Sequence, residues 1–443
     1  MTTEDTILQR RNPVNAPSTN GTFVEKVFSE KAGREVRSGE VVWVKPDMMI
    51  SHDGTALDAI AVLNELKVKT LPSSTVDRIK VFIDHSFPPA SPLYAENYDK
   101  IRSFCEKYRV ELHDKGDGIS HAVMVENGYA EGGNFIAGAD SHTTGIGAIP
   151  GAFGTGFGGT DLGAMWLTGE TWFPVPASIL VKVEGRYPPG TDALDGGFHM
   201  LKHLQPVVDD VRRSLEARHR TFTLAIELTG KGIRDHSPFE RMPFTTLVKE
   251  ANADTCTVIP EDVKLNEDGY EAVVELNLSE VVPYVVLPPQ MKSAGFPFQY
   301  EVVPVESVEG EGHRINRVSI QSCTGAYDYT IRESAELLRR RDIDPKVQFY
   351  VVPATRRVKE RMYEAGYLKE LVGKRAIEAT PSCGNCIGRG CGILGPDDIA
   401  ISTSSRNEVG RMGHEKSIIY LASGLTATAS AVNGYLTDPR RFL

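Results

Sequence analysis

The sequence predicts an α/β protein built from mostly parallel β-sheets flanked by helices. Segments with apolar residues at helical spacing alternate with short β-branched segments along most of the chain, which is the order of βαβ units. The composition, 41% hydrophobic and 24% charged over 443 residues, is that of a globular protein with room for about two to four domains. The same composition excludes a disordered or collagen-like chain.

The predicted elements follow one another in regular order. Helical periodicity predicts helices at 57–66, 94–108, 200–217, 334–341 and 358–365. Apolar, β-branched runs predict strands at 79–83, 135–139, 178–183, 221–228, 319–322, 347–352 and 399–403. Asp140 and Cys323 directly follow predicted strands, and ligands of parallel sheets collect at the carboxyl ends of strands.

Shifts in composition predict the domain organisation. Gly and Pro cluster at 184–192, and 287–311 is Pro-rich with little periodicity. The predicted stretches are a polar leader at 1–22, a first α/β region at 23–186, a second at 187–290, a linker-like stretch at 291–312 and a third α/β region at 313–443.

Charge and hydropathy exclude several classes of partner. The formal net charge is −10 and the basic residues are dispersed, whereas affinity for nucleic acid or an anionic membrane needs clustered Lys and Arg. The chain has no apolar run approaching the ~18–20 residues of a membrane span, and its start lacks the order of a secretory signal. We therefore expect a cytoplasmic protein with neither a nucleic-acid nor a membrane partner.

Three cysteines form the sharpest motif. Cys383 and Cys386 are spaced as Cys-x-x-Cys, with Cys323 far upstream and Cys391 shortly after. Such thiolates hold zinc, act in redox chemistry or bind an iron–sulfur cluster. Structural zinc needs a fourth ligand, and a redox Cys-x-x-Cys normally opens a helix, which the following Ile-Gly-Arg-Gly does not resemble. Spacing alone leaves a cluster, zinc and no metal all open.

A second motif joins Asp140-Ser141-His142 to a glycine-rich segment, with nine glycines from Gly138 to Gly163. Adjacent residues of an extended segment point in different directions, so a hydrolase triad is not expected. Gly154-x-Gly156-x-x-Gly159 matches the letters of a dinucleotide fingerprint but follows a predicted loop. We interpret these glycines as positions where the backbone approaches a ligand or another segment closely.

A third group of candidates is polar and dispersed along the chain. Its members are His52, Asp53, Asp84, His85, His121, His142, Glu250, Arg406 and Arg411. His paired with Asp forms an acid–base unit that works near neutral pH, and arginines bind carboxylates in bidentate fashion. In an acidic protein, such a set suits a small dicarboxylate.

Taken together, these motifs resemble the aconitase superfamily, most closely the large subunits of 3-isopropylmalate dehydratase and homoaconitase. The motifs that carry the resemblance are, in order, Ser51-His52-Asp53-Gly54-Thr55, Asp84-His85, Gly118-Ile119-Ser120-His121, Gly138-Ala139-Asp140-Ser141-His142-Thr143, Ser322-Cys323-Thr324, Pro381-Ser382-Cys383-Gly384-Asn385-Cys386 and Arg406-Asn407-Glu408-Val409-Gly410-Arg411. The resemblance implies an aconitase-like assembly of three domains that lacks the mobile fourth, or swivel, domain.

The resemblance also implies roles for individual residues. Cys323, Cys383 and Cys386 are expected to hold a [4Fe-4S] cluster whose fourth iron is left for substrate. Asp84 and His85 are expected to handle the leaving hydroxyl. Polar surroundings come from His121, Asp140 and His142, a carboxylate near the open iron from Glu250, and substrate contacts from His52, Ser141, Arg406 and Arg411.

The implied activity is that of a hydro-lyase or isomerase that dehydrates and rehydrates a 2-hydroxy di- or tricarboxylate. A separate small subunit is expected to bring the swivel domain, with the serine base and an arginine that reads the substrate. Gly325 and Ser405 stand where the family usually has Asn, which indicates a specialised dehydratase of another alkylmalate-like acid as the alternative. An iron or redox sensor and a zinc-stabilised structural protein are the remaining readings, and Cys391 is expected to be an inert core thiol rather than an alternative ligand.

Overall fold

The computed structural model describes residues 21–218, 221–289, 299–309 and 314–443. Of the predicted leader only 21–22 belong to these ranges, and of the linker-like stretch only 299–309. No helix within these ranges combines the length and apolar composition that a membrane span requires.

The secondary structure of the described residues alternates along the chain as expected. The strands are β1 Val41–Val44, β2 Met48–His52, β3 Ile79–Phe82, β4 Glu111–His113, β5 Phe135–Gly138, β6 Phe153–Gly156, β7 Thr171–Pro174, β8 Ala177–Glu184, β9 Leu224–Thr229, β10 Thr255–Val258, β11 Ala272–Asn277, β12 Tyr284–Val286, β13 Val302–Pro304, β14 Arg317–Ile320, β15 Gln348–Val351, β16 Ile377–Glu378, β17 Ile399–Ser402 and β18 Ile418–Ala422. The helices are α1 Phe23–Ala32, α2 Ala56–Glu65, α3 Ser73–Val76, α4 Pro92–Tyr108, α5 Ser120–Glu126, α6 Gly159–Thr168, α7 Ala193–Arg218, α8 Lys231–Arg234, α9 Pro238–Leu247, α10 Ser322–Gly325, α11 Asp328–Leu338, α12 Arg356–Glu364, α13 Tyr367–Gly373 and α14 Gly424–Asn433. Short 3-10 segments lie at Ser141–Ala148, Glu267–Gly269, Leu278–Glu280, Val305–Ser307 and Pro439–Phe442.

Each predicted helix and strand overlaps an element of the same type. The largest difference in bounds is at α7, which begins at Ala193 rather than at 200. Gly196 and Gly197 lower the helical propensity of this first part, but they let it pack tightly. A Cβ at Gly196 would lie 2.4 Å from the Tyr187 hydroxyl, and one at Gly197 would lie 2.8 Å from Leu247. Tertiary packing therefore overrides local propensity here.

Two large sheets carry the fold. The first has nine strands in the order β11-β8-β9-β10-β6-β5-β2-β3-β4, parallel throughout except for the β6–β10 pair. The second has seven strands in the order β13-β12-β18-β17-β14-β15-β16, where only the pairings of β12 are antiparallel. Helices flank both sheets, which confirms the α/β class with mostly parallel sheets.

The two large sheets do not follow the predicted domain boundaries. Strands from 23–186 and from 187–290 share the nine-stranded sheet, and β8 pairs with β9 and β11 rather than with earlier strands. Within the predicted linker-like stretch, β13 pairs with β12. The domain boundaries themselves stay a prediction.

The glycine-rich segment shows close backbone packing. Gly154 and Gly156 lie in β6, and α6 begins at Gly159, so the prediction that this stretch follows a loop was wrong. A Cβ at Gly154 would lie 1.9 Å from the carbonyl oxygen of Thr143. The 3-10 segment Ser141–Ala148 thus lies directly on β6, which confirms that glycines here allow another segment of the chain to approach closely.

Candidate active site

A cavity of about 410 Å³ lies where carboxyl ends of strands from both large sheets meet. β2 and β5 of the first sheet and β14 and β17 of the second lead into it. All but two of the residues for which the sequence predicts a role in the site line it: His52, His85, His121, Asp140, Ser141, His142, Cys323, Cys383, Cys386, Arg406 and Arg411. The other two, Asp84 and Glu250, are buried directly behind these residues, as their contacts show.

Asp84 and His85 follow β3 and form a buried acid–base pair. The backbone there is held by Asp53, whose carboxylate accepts N–H bonds from Asp84 at 3.1 Å and His85 at 2.8 Å. The Nδ1 of His85 lies 2.6 Å from Oδ1 of Asp84, and its Nε2 lies 3.1 Å from Oδ2 of Asp140. Both ring nitrogens therefore face a carboxylate.

These contacts shift both pKa values. Burial opposes protonation of His85, but the Cys383 sulfur when ionised, the negative charge of Asp84 and the hydrogen bonds to Asp140 and Asp84 raise the pKa of His85 well above the usual range. Burial alone would raise the pKa of Asp84, yet the charge and hydrogen bond of His85 lower it to about 2. At neutral pH the pair is an imidazolium held by a carboxylate.

Asp140 lies at the centre of a histidine cluster. Its carboxylate is 3.5 Å from Nε2 of His52 and 3.8 Å from Nε2 of His121. The rings of His52 and His85 stack with centroids 3.8 Å apart. Burial lowers the pKa of His121 to about 4 and also lowers that of His52, so these two rings are neutral beside the charged His85.

Glu250 connects three parts of the site. Its Oε1 lies 2.9 Å from Nε2 of His142 and accepts a 2.6 Å bond from Nε of Arg406. The same arginine donates to the Ser141 hydroxyl at 3.2 Å. Burial would raise the pKa of Glu250, but Arg406 and His142 lower it to about 2. Its Oε2 is buried and has no hydrogen-bond partner among the described residues.

The three cysteines share one wall of the cavity. The Ser322 hydroxyl lies 3.8 Å from Sγ of Cys323 and 3.9 Å from Sγ of Cys386. Ser322 itself has φ +77°, a left-handed conformation that is strained for a serine and typical of functional sites. All three thiols are buried and none is in a disulfide.

The donor set fits a metal centre with three protein thiolates. Burial raises the pKa of Cys383 to about 12, and burial together with the other two sulfurs raises that of Cys323. A bound cationic centre would relieve this cost by stabilising the thiolates. Among the described residues, His52, Asp53, Asp84 and His85 form another group of potential ligands, whose ligand atoms lie within 4.8 Å of one another. There, however, Asp53 is occupied by backbone N–H groups and Asp84 by His85 and the N–H of Ser120.

Cys391 differs from the expectation of a core thiol. It is only half-buried, and it is not among the described residues that line the cavity. The tight turn after Cys386 explains its position, since a Cβ at Gly390 would lie 1.8 Å from the Gly384 carbonyl oxygen.

The structure shows what surrounds Gly325 and Ser405, the two positions at which the sequence leads us to expect a departure from the family pattern. A Cβ at Gly325 would lie 2.3 Å from Cβ of Thr403, so a side chain fits only if Thr403 shifts. Ser405 places its hydroxyl 3.3 Å from Nε2 of His142, within the Glu250 network.

Two residues of this region, Gln321 and Arg389, were assigned no role from the sequence. Gln321 is fully buried and accepts the N–H of Asn385 at 3.0 Å, which ties β14 to the Cys383–Cys386 loop. Arg389 lines the cavity as a third arginine. The only signal for it in the sequence is a cation three positions after Cys386 in a glycine-rich loop.

Comparison with known proteins gives consistent similarities. The family model for the aconitase family (aconitate hydratase) matches residues 25–267 and 257–434. The chain is 36% identical over 425 residues to "3-isopropylmalate dehydratase large subunit 2" of Methanopyrus kandleri, covering 95% of this chain and 99% of that protein. It is 35% identical over 431 residues to "Homoaconitase large subunit" of Thermus thermophilus, covering 94% and 97%. It is 33% identical over 437 residues to "Methanogen homoaconitase large subunit" of Methanocaldococcus jannaschii, covering 94% and 99%.

The match to the family model extends over almost the whole chain, and each of these relatives exceeds 30% identity over nearly its full length. Together with an α/β fold whose strand ends bring the predicted site residues into one cavity, these similarities lead to one conclusion. This chain belongs to the aconitase family of hydro-lyases.

Proposed function

We propose that this chain is the [4Fe-4S]-bearing large subunit of a hydro-lyase that dehydrates and rehydrates a 2-hydroxy di- or tricarboxylate of the 3-isopropylmalate or homoaconitate type. The observation that carries the proposal is that Cys323, Cys383 and Cys386 line the same cavity as His85, Arg406 and Arg411. Thiolate ligands, an acid–base pair and carboxylate-binding cations are three of the components that this reaction requires.

Cys323, Cys383 and Cys386 would hold the cluster. When bound with one iron free of protein ligands, it supplies a Lewis acid for the hydroxyl and carboxylate of the substrate. The buried, unpartnered Oε2 of Glu250 and the adjacent His142 provide polar groups close to Cys323, whose Sγ is 3.7 Å from Nδ1 of His142.

His85 is the proton donor for the leaving hydroxyl. Hydroxide is a poor leaving group, so a proton must arrive as the C–O bond breaks. The raised pKa of His85 keeps it protonated at neutral pH, and Asp84 and Asp140 orient the ring at its two nitrogens. In the reverse direction the neutral ring takes the proton back from water.

Arg406 and Arg411 bind the substrate carboxylates. Arg406 is oriented by Glu250 and Ser141. Arg411 is held by a 2.9 Å bond from its Nε to the carbonyl oxygen of Cys386. Fixed guanidinium groups also stabilise the negative charge that develops beside the carboxylate when the carbon-bound proton is removed.

A separate small subunit completes the site. The relatives described above are named large subunits, which supports a partner of this kind. This partner, carrying the swivel domain, brings the serine base that removes the carbon-bound proton and a further substrate-reading arginine.

Iron and acid-labile sulfide per chain, measured after anaerobic reconstitution, test the proposal. We expect close to four of each, a three-iron signal after brief oxidation, and turnover of 3-isopropylmalate or homocitrate only when the small subunit is added. Zinc or no metal in the reconstituted chain would contradict the cluster, and full turnover without a partner would contradict the need for a small subunit.

The alternative, a specialised dehydratase of another alkylmalate-like acid, is supported by Gly325 and Ser405. Ser405 contacts His142 in the Glu250 network, so its replacement of the usual Asn alters polar contacts next to Cys323. A substrate panel with turnover on 3-isopropylmalate alone would exclude this alternative.

A further inference from the structure

Arg389 is a cavity residue outside the set of Arg406 and Arg411. It follows the Cys383–Cys386 pair and lines the same cavity. Its backbone is held firmly, because Asn385 donates from its side chain to the Gly392 carbonyl at 2.6 Å and the N–H of Gly388 bonds to the Asn385 carbonyl at 2.8 Å. The loop therefore presents Arg389 from a fixed turn.

The guanidinium of Arg389 lies close to Gly54, another residue of the cavity lining. Its Nη1 lies 3.6 Å from the position that a Cβ would take at Gly54, next to His52. Because residue 54 has no side chain, the space around this end of Arg389 stays open. The centroid of the Tyr94 ring lies 5.9 Å from Cζ of Arg389.

The charges of the cavity leave Arg389 without an anion. Arg406 is paired with Glu250, and His85 with Asp84 and Asp140. Within the described ranges, no carboxylate forms an ion pair with Arg389 or Arg411. Two uncompensated guanidinium groups thus face one cavity, and only Ala139 and Ile387 contribute aliphatic side chains to its described lining. The cavity lining therefore offers little apolar surface to the alkyl arm of a substrate, and it favours a substrate that carries an additional anionic group.

We propose that Arg389 is a further specificity-determining residue, whose guanidinium binds an anionic group of the substrate beyond the groups engaged by Arg406 and Arg411. This inference rests on the proposed function, since it names the class of hydroxy acid that the same cavity takes. The Arg389 guanidinium selects a tricarboxylate substrate over a dicarboxylate substrate with an alkyl arm.

Two unreactive probes test this selection directly. Propane-1,2,3-tricarboxylate and pentanedioate differ only by the central carboxylate, and neither has a hydroxyl to eliminate. Their binding to the cluster-loaded full chain is measured by calorimetry. We expect the tricarboxylate to bind about five- to tenfold more tightly, as a charge-assisted contact at a partly exposed site provides.

The Arg389→Gln variant should bring this ratio close to one while the affinity for pentanedioate changes little. Arg389→Lys should keep part of the preference, because the charge remains but the bidentate geometry is lost. Arg340→Gln, an exposed arginine outside the cavity, serves as the matched control and should leave both affinities unchanged.

Several outcomes would overturn the inference. No preference in the parent chain, or an unchanged ratio in Arg389→Gln, would remove the assigned role. Loss of small-subunit association with an unchanged ratio would make Arg389 a docking residue instead. Iron and sulfide are measured on the same samples. If the proposed function is wrong, the samples lack the cluster. If only this inference is wrong, the samples hold a full cluster but show no preference for the tricarboxylate.

Discussion

The Nε2 of His142 lies 2.9 Å from Oε1 of Glu250, although 108 positions separate the two residues. The other ring nitrogen of His142 lies 3.7 Å from Sγ of Cys323. One imidazole thus connects a buried carboxylate of the nine-stranded half of the molecule to a cysteine that follows β14 of the seven-stranded sheet. Through His142 and Glu250, Cys323 and Arg406 belong to one network of polar contacts around the cavity.

Removing the charge of Glu250 should weaken both the fold and the site. Glu250→Gln leaves the partly buried Arg406 without its counter-charge, and we expect the free energy of unfolding to fall by about 2–3 kcal/mol. Urea denaturation of the full chain measures this change. Glu275→Gln is the control, since the Glu275 side chain is 82% exposed and should contribute almost nothing. Equal stability of the two variants would show that the Glu250–Arg406 pair contributes no net stabilisation.

Replacement of Cys383 and replacement of Cys391 should have different effects on the bound iron. Cys383→Ser removes one of three thiolates from the cavity wall, so we expect reconstituted iron to fall to a small fraction of the parent value. Cys391→Ser should retain iron and sulfide, because Cys391 does not line the cavity. The measurement is metal and sulfide analysis with the visible absorption spectrum. Loss of iron in Cys391→Ser would instead make Cys391 a ligand.

Asp84 should act through the His85 ring. In Asp84→Asn the amide still accepts the N–H of Ser120, which is 2.7 Å from Oδ2 of Asp84, but the charge that stabilises imidazolium is gone. We expect kcat to fall about 100-fold with the cluster intact, the size typical of an impaired general acid. Asp99→Asn, at a carboxylate with a 77% exposed side chain, is the control. Unchanged kcat in Asp84→Asn would remove His85 from the proton-donor role.

Stability should fall with rising pH because of a carboxyl that is not part of the described cavity lining. Burial first, and the charge of Asp192 second, raise the pKa of Glu333 on α11 to about 8. Its folded pKa lies above the unfolded value of about 4.3, so between these values the folded state binds more protons. The free energy of unfolding therefore decreases as pH rises through this window, by up to about 1.4 kcal/mol per pH unit for this group.

The Glu333→Gln variant should flatten this slope between about pH 5 and pH 8. Glu336→Gln lies on the same helix and is exposed, so it should keep the slope of the parent. Thermal or urea unfolding across this pH range is the measurement. An identical slope in Glu333→Gln would show that Glu333 titrates normally in the folded chain.

Two glycines should respond oppositely to alanine. In Gly154→Ala the new Cβ would lie 1.9 Å from the Thr143 carbonyl oxygen, so the segment that carries Ser141 and His142 must shift, at about 1–3 kcal/mol. In Gly373→Ala the new methyl has no neighbour within 4 Å in α13, and higher helical propensity should stabilise the chain by up to about 1 kcal/mol. Melting temperatures of the two variants are the comparison, and a stable Gly154→Ala would refute the packing argument.

The sequence by itself determined the α/β class and most of the cavity-lining residues. Helical and alternating periodicity are local properties, so the helix at 94–108 and the strand at 79–83 were readable without coordinates, and the structure has them as α4 and β3. The order of the motifs identified His52, His85, Asp140 and the three cysteines as site residues. The residue types that such chemistry needs are uncommon, and they occur in short, recognisable sequence motifs.

Only the tertiary structure decided which of these groups touch and what charge they carry. The antiparallel β6–β10 pair, which joins two parallel half-sheets, depends on contacts between residues about a hundred positions apart, where local pattern holds no information. Arg389 and the Gln321–Asn385 contact were missed for the same reason. The high pKa of His85 and the low pKa of His121 arise from burial and from which carboxylate is nearest, and these are properties of the folded arrangement rather than of the residue type.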